Sequence, residues 1–152
     1  MIRILMVCLG NICRSPLAHG ILASKLDADY FEVDSAGTSN YHIGNLPDQR
    51  SIAVARKNGL DISNQTGRQF IVNDFETYDY IYVMDNSNFK NVVKMARNAA
   101  DITKVKLILN ESNPDKDLEV PDPYYGGRSG FDDVYKMLDE SCSVITEKLS
   151  KS

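Results

Sequence analysis

Apolar and polar positions along this chain fall into blocks that switch repeatedly between strand and helix character. Ile2 to Cys8 is an apolar run with β-branched residues, bounded by Gly10, the pattern of a strand buried on both faces. Beyond a short loop, Ser15-Pro16 supplies a favoured helix N-cap and a favoured first helical residue. Leu17, Ile21, Leu22 and Leu26 recur at helical spacing, which predicts an amphipathic helix from Pro16 to about Leu26. Tyr30 to Ala36 reads as a second strand. Asn45 to Asp48 reads as loop and cap, followed by a helix to about Asn58 that Gly59 stops. Tyr78 to Met84, aromatic and β-branched, predicts a third strand. Asp85-Asn86-Ser87 offers caps for a helix to about Ala96, and Lys104 to Leu109 predicts a fourth strand. Asn110 to Gly130, with three prolines and three glycines, reads as a long loop. A terminal helix from Phe131 to about Leu149 sets Val134, Leu138, Cys142, Ile145 and Leu149 on one face.

Strands that alternate with helices predict an α/β fold with a parallel sheet covered on both faces. Ligands of such sheets bind beyond the carboxyl ends of the strands, near a switch in strand order. A loop as long as 110–130 is usually functional or disordered, so its contents need a reason.

The 152 residues fit one domain, 1–152. The composition is 43% hydrophobic and 25% charged, which excludes fibrous and wholly disordered readings. A net charge of −4 gives no general electrostatic case for nucleic acid or an anionic membrane. The longest apolar run, Ile4 to Leu9, is far short of the roughly 20 residues a membrane span needs, and it lacks the plan of a signal peptide. Three cysteines, Cys8, Cys13 and Cys142, are an odd number that argues against a disulfide framework. These features predict a cytoplasmic protein with reduced thiols.

Chemistry concentrates in Cys8-Leu9-Gly10-Asn11-Ile12-Cys13-Arg14-Ser15, between the first strand and the first helix. A loop of this length curls so that successive backbone N–H groups point inward as an anion nest, and the helix start adds its partial positive charge. Gly10 and Asn11 are residue types that tolerate positive φ, as such a curl requires. Arg14 can grip two phosphate oxygens with its planar fork. Cys8 then lies at the floor, where these surroundings favour a thiolate, the nucleophilic form. Ser15 can donate a hydrogen bond to the sulfur. No Walker A pattern is present. A general acid is needed to protonate the leaving oxygen. Asp122, between Pro121 and Pro123, is the candidate because the prolines stiffen its backbone. The adjacent tyrosines can wall a slot for a flat leaving group. His19, within the first helix, and His42, in a loop, read as structural or solvated. Cys142 reads as core.

With these residues in hand, the chain resembles the low-molecular-weight protein tyrosine phosphatases over nearly its whole length. The resemblance rests on Val7-Cys8-Leu9-Gly10-Asn11-Ile12-Cys13-Arg14-Ser15-Pro16, on Asp34-Ser35-Ala36-Gly37-Thr38 and on Asp122-Pro123-Tyr124-Tyr125. It implies a three-layer sandwich around a four-stranded parallel sheet of order 2-1-3-4. It implies hydrolysis of phosphotyrosine in proteins by Cys8, Arg14 and Asp122 through a phosphocysteine, with inorganic phosphate or other oxyanions bound by residues 9–15. No metal or cofactor is implied, nor a nucleic-acid or membrane partner. A monomer is expected, with weak self-association through rim aromatics left open. The resemblance assigns Asn11, Ser15 and Ser35 to a network that supports the loop, and Leu9, Ile12, Tyr41, Tyr124 and Tyr125 to the substrate groove. It makes Cys13 either a partner that traps oxidised Cys8 as a disulfide or a small apolar loop residue. Many relatives carry a histidine shortly before the Arg-Gln that here is Arg68-Gln69; this chain has Asn64-Gln65-Thr66-Gly67 instead. Protein arginine phosphatases share the pattern but place a threonine where Ile12 stands. Arsenate reductases of this fold need further relay cysteines that residues 65–98 lack. A non-catalytic phosphate-binding module is the reading from another class.

Overall fold

The computed structural model describes residues 1–150, the side chains of Tyr125 and Arg128 excepted. Its centre is β1 (Ile2–Cys8), which pairs in parallel with β2 (Phe31–Gly37) on one side and β3 (Tyr80–Val83) on the other; β4 (Val105–Leu107) completes the order β2-β1-β3-β4. The four-stranded parallel sheet of order 2-1-3-4 is the one expected. Because β1 is interior, its residues alternate between two cores. Ile4, Met6 and Cys8 join one cluster, with Leu17, Ile21, Leu138 and Ile145. Leu5 and Val7 join the other, with Phe75, Ile81, Val83 and Val92. From Ile4 to Cys8 the strand is apolar at every position, as two covered faces require, while Arg3 at its exposed start pairs with Glu32 of β2.

The helices are α1 (Arg14–Lys25), α2 (Gln49–Lys57), α3 (Asp74–Thr77), α4 (Asn86–Val93), α5 (Ala99–Thr103), α6 (Leu109–Ser112) and α7 (Gly130–Ser150). The predicted periodic segments are present, with corrected ends. α1 begins at Arg14, and no side chain caps its N-terminus; Ser15 is therefore not the N-cap but lies in the first turn, with its hydroxyl committed elsewhere. Asp48 does cap α2, accepting from the Arg50 N–H at 2.8 Å. Past α2, Gly59 and Leu60 donate back to the carbonyls of Arg56 and Ala55, with Gly59 at φ +84°, the paired bonds of a glycine-terminated helix.

Three short helices were not predicted. The fourth strand stops at Leu107, and Leu109 opens α6 rather than ending the strand. The segment 110–130 is not a structureless loop: it holds the end of α6 and 3₁₀ turns at Pro123–Tyr125 and Gly127–Ser129. Among the described residues no helix is long and apolar enough to cross a membrane. From β1 the chain passes to β2 on one side and later to β3 on the other. The carboxyl end of β1 therefore faces the switch point where open α/β sheets form ligand crevices.

Candidate active site

The loop from β1 into α1 is built around Asn11. Its backbone lies in the left-handed region at φ +58°, which asparagine tolerates better than most residues. In that conformation the Asn11 N–H donates to Cys8 Sγ at 3.3 Å, Nδ2 donates to Ser15 Oγ at 2.8 Å, and Oδ1 accepts from the Arg68 N–H at 3.0 Å. Ser15 Oγ lies 3.0 Å from Cys8 Sγ. Since that hydroxyl oxygen already accepts from Asn11, its own proton is free to point at the sulfur. Two donors thus converge on Cys8. Gly10 does not have the positive φ expected of it. Its lack of a side chain serves space instead, because a Cβ there would lie 2.9 Å from His42 Cδ2.

The end of β2 braces the loop from behind. The Thr38 and Ser39 N–H groups donate to the carbonyls of Cys8 and Leu9, both at 2.9 Å. A Cβ on Gly37 would come within 2.7 Å of the Leu9 carbonyl oxygen, so the Ser-Ala-Gly motif ends in glycine to permit this approach. Ser35 does not reach Asn11: its hydroxyl meets His19 Nδ1 at 3.2 Å. An imidazole does stand beside Ser35, but α1 supplies it rather than the segment before Arg68. Burial lowers the pKa of His19, which favours its neutral form. Gln65, standing three positions before Arg68, donates to the Pro16 carbonyl at 3.2 Å. Arg68 itself is tied to Asp74 by two contacts of 3.1 Å, fixing the strand-like segment whose N–H holds Asn11.

Above Cys8 lies a pocket of about 110 Å³ lined by Cys8, Leu9, Gly10, Ile12, Cys13, Arg14, Ser39, Tyr41, His42, Asp122 and Tyr124. The structure therefore gathers the sequence candidates in one place, with Asn11 and Ser15 bonded into the loop, Ser35 set apart against α1, and the Tyr125 side chain outside the described residues. Arg14 is buried. Nη1 donates to Asp85 Oδ2 at 2.7 Å and to the Val120 carbonyl at 3.0 Å. Burial opposes its charge, yet the charges of Cys8, Asp85 and Asp122 outweigh it and raise its pKa. Asp122 Oδ1 accepts from the Tyr124 N–H at 3.0 Å at the start of the 3₁₀ turn. The Tyr124 hydroxyl donates to Asp48 Oδ2 at 2.6 Å, and its ring stands edge-on to Phe131 beneath the Arg50 guanidinium. Burial pushes the Cys13 thiol up to about 12, so it is protonated at neutral pH. Cys142 is fully buried in the core, as expected.

Sequence reading missed Asp85, Asp48, Ser39 and His42. Asp85 was legible only as a cap, and it does cap α4, with Oδ1 accepting from the Asn88 N–H at 2.8 Å. Its other oxygen fixes Arg14. Asp85→Asn separates the two tasks. Asparagine caps as well as aspartate, but an amide that keeps its oxygen on Asn88 turns an NH₂ toward the guanidinium. The expected result is a loss of about 10- to 100-fold in kcat/KM, the scale of one hydrogen bond to a charged group, with little change in Tm. Steady-state kinetics and thermal unfolding of the same variant check this; parallel losses in both would make Asp85 a cap only.

The sequence profile of the family described as low molecular weight phosphotyrosine protein phosphatase matches residues 3–152. The human low molecular weight phosphotyrosine protein phosphatase is 39% identical over 150 residues, spanning 95% of this chain and 94% of its own. A protein tyrosine phosphatase of Entamoeba histolytica, solved with Hepes in its active site, superposes with a TM-score of 0.91 at 34% identity, covering 99% and 98% of the two chains. A Drosophila arginine phosphatase superposes with a TM-score of 0.84 at 32% identity, covering 96% of each. The chain belongs to the low-molecular-weight protein tyrosine phosphatases, which are cysteine-dependent hydrolases.

Proposed function

We propose that this protein hydrolyses phosphotyrosine in proteins, and aryl phosphate monoesters, through a phosphocysteine on Cys8. The observation that carries the reading is the setting of Cys8 Sγ. It receives the Asn11 N–H, lies 3.0 Å from Ser15 Oγ and shares a pocket with Arg14 and Asp122. In the first step the Cys8 thiolate attacks phosphorus, the S–P bond forms and the P–O bond to the phenol breaks. Asp122 gives its proton to the departing oxygen. Arg14 and the N–H groups of residues 9–15 hold the equatorial oxygens, the electrostatic term on which phosphoryl transfer chiefly depends. In the second step Asp122 takes a proton from water, whose oxygen attacks phosphorus. The S–P bond breaks to give inorganic phosphate and a thiolate that Ser15 and Asn11 stabilise.

Phosphoarginine is the second reading, and the arginine phosphatase among the structural neighbours gives it weight. Ile12 on the pocket wall favours the aryl ring, because a guanidinium brought there leaves its N–H groups without acceptors. Cys13 is the thiol we assign to a protective disulfide with Cys8. Its raised pKa makes it a slow resolving partner at neutral pH.

The test is turnover of p-nitrophenyl phosphate and of matched phosphotyrosine and phosphoarginine peptides, with excess chelator and reduced thiols. Chelator-resistant turnover with phosphotyrosine preferred is expected. Preference for phosphoarginine would move the second reading ahead, and binding without turnover would leave a phosphate-binding module.

A further inference from the structure

Asp122 is carried by a segment poor in backbone donors, because Pro121 and Pro123 on either side of it have no N–H. Its own Oδ1 is committed within the 3₁₀ turn, to the Tyr124 N–H. That bond sets the carboxylate relative to the turn, not the turn relative to Cys8. Anchors outside Pro121-Asp122-Pro123 must do the second. Downstream, the Tyr124 hydroxyl reaches Asp48. Upstream, the chain leaves a turn closed on itself, with Asn110 Nδ2 donating to Asp117 Oδ1 at 3.0 Å and the Asp117 N–H donating to Asn110 Oδ1 at 2.9 Å. It then passes through exposed Leu118 and is caught at Glu119 and Val120.

The upstream anchors fall on three successive residues where β3 turns into α4. The Met84 carbonyl accepts from the Val120 N–H at 2.8 Å. Asp85 Oδ2 holds Arg14 Nη1, which also donates to the Val120 carbonyl at 3.0 Å. The Asn86 N–H donates to Glu119 Oε2 at 2.7 Å. One corner therefore holds both the arginine that grips phosphate and the entry to the acid segment. The Asn86 N–H is among the first donors of α4, which have no partner within the helix. The Asp85 side chain caps Asn88 instead, and a carboxylate is favoured at this positive end. Glu119 is exposed, where an unconstrained glutamate is simply solvated. Here it meets a backbone N–H 33 positions away in the chain.

We propose that Glu119 is a positioning residue for the general acid. The bonds on Val120 hold the segment at one residue, about which the chain can still pivot. A second hold on the adjacent residue, to a different donor of the same corner, removes the pivot and fixes the distance from Asp122 to the departing oxygen. Glu119 touches neither substrate nor Cys8 in this scheme. It acts through Asp122, so it matters most where protonation of the leaving group is hardest.

The inference rests on the phosphatase reading, and one set of measurements separates the two. Wild type, Glu119→Ala and Glu119→Gln are assayed for kcat/KM on phenyl phosphate and on p-nitrophenyl phosphate. Alanine removes the acceptor; glutamine keeps an oxygen for the Asn86 N–H. The ratio of phenyl to p-nitrophenyl phosphate is expected to fall about 2- to 10-fold in Glu119→Ala, the net worth of one hydrogen bond, and to recover in Glu119→Gln. The same Glu119→Ala change is then made in Asp122→Asn. A residue that acts through the acid has nothing left to position, so no further loss on phenyl phosphate is expected; a full additional loss there would overturn the inference. An unchanged ratio in Glu119→Ala would overturn it too, whether both substrates lose equally or neither does, and would leave the phosphatase reading intact. No recovery in Glu119→Gln would overturn the role of the bond to Asn86. No turnover by wild type on either substrate would overturn the phosphatase reading itself.

Discussion

Replacing Cys8 with serine is expected to remove turnover while leaving the phosphate site in place. The two side chains differ by one atom, and the donors that converge on that atom belong to other residues, the Asn11 N–H and the Ser15 hydroxyl. Asn11 remains fixed by Ser15 and by the Arg68 N–H, so the loop keeps its curl. The chemistry does not survive the exchange. A serine hydroxyl is scarcely ionised near neutral pH and no general base touches it here, whereas the thiol is intrinsically more acidic and more nucleophilic. The serine oxygen is also the poorer leaving group in the second step. The expected loss in kcat is on the order of 10⁴-fold or more, comparable to removing the nucleophile of other covalent enzymes. Calorimetric titration with inorganic phosphate is expected to show affinity near that of wild type. Turnover above about one hundredth of wild type would overturn the thiolate mechanism. Loss of phosphate binding together with turnover would mean that the sulfur shapes the loop as well as reacting in it.

How far the site was legible follows from how far apart its parts lie in the chain. Cys8, Asn11, Arg14 and Ser15 fall within one turn between a strand and a helix, so their spacing alone placed them around an anion. Strands and long helices were legible because burial imprints a pattern on them: β1 is apolar without a break from Ile4 to Cys8 since both its faces are covered there, and α7 repeats its apolar positions along its length. α3, α5 and α6 are one turn or little more, too short for any period to register. The partnerships are another matter. Arg14 and Asp85 are 71 positions apart, and Tyr124 and Asp48 are 76 apart; nothing local to either member marks the other. Asp85 was visible as a cap because a cap is a local object, and its second oxygen was not because Arg14 reaches it only through the sheet. Ser15-Pro16 misled for a related reason. It has the look of a helix start, but the hydroxyl is spent on Cys8 and Asn11, and the helix begins at Arg14, two residues before Pro16, without a side-chain cap.

Asp122→Asn is expected to slow the first chemical step by an amount that depends on the leaving group. Asp122 is held by the Tyr124 N–H through Oδ1 between two prolines, and asparagine offers the same acceptor to that N–H. The segment therefore stays in place and what disappears is the transferable proton. For a phenol of high pKa, whose oxygen must be protonated as the P–O bond breaks, kcat/KM is expected to fall about 10²- to 10⁴-fold, the usual range for general acid catalysis. For p-nitrophenol, which departs as a stable anion, the fall is expected to be small. Across a series of substituted phenyl phosphates, the dependence of kcat/KM on leaving-group pKa therefore steepens in the variant. The second step loses its base in every case, because the same carboxylate activates water. With p-nitrophenyl phosphate, formation of the phosphocysteine should then outrun its hydrolysis, giving a burst of p-nitrophenol close to one equivalent of enzyme. A leaving-group dependence as shallow as that of wild type, with no burst, would take Asp122 out of both steps. A steep dependence without a burst would keep it as the acid and assign the activation of water to another group.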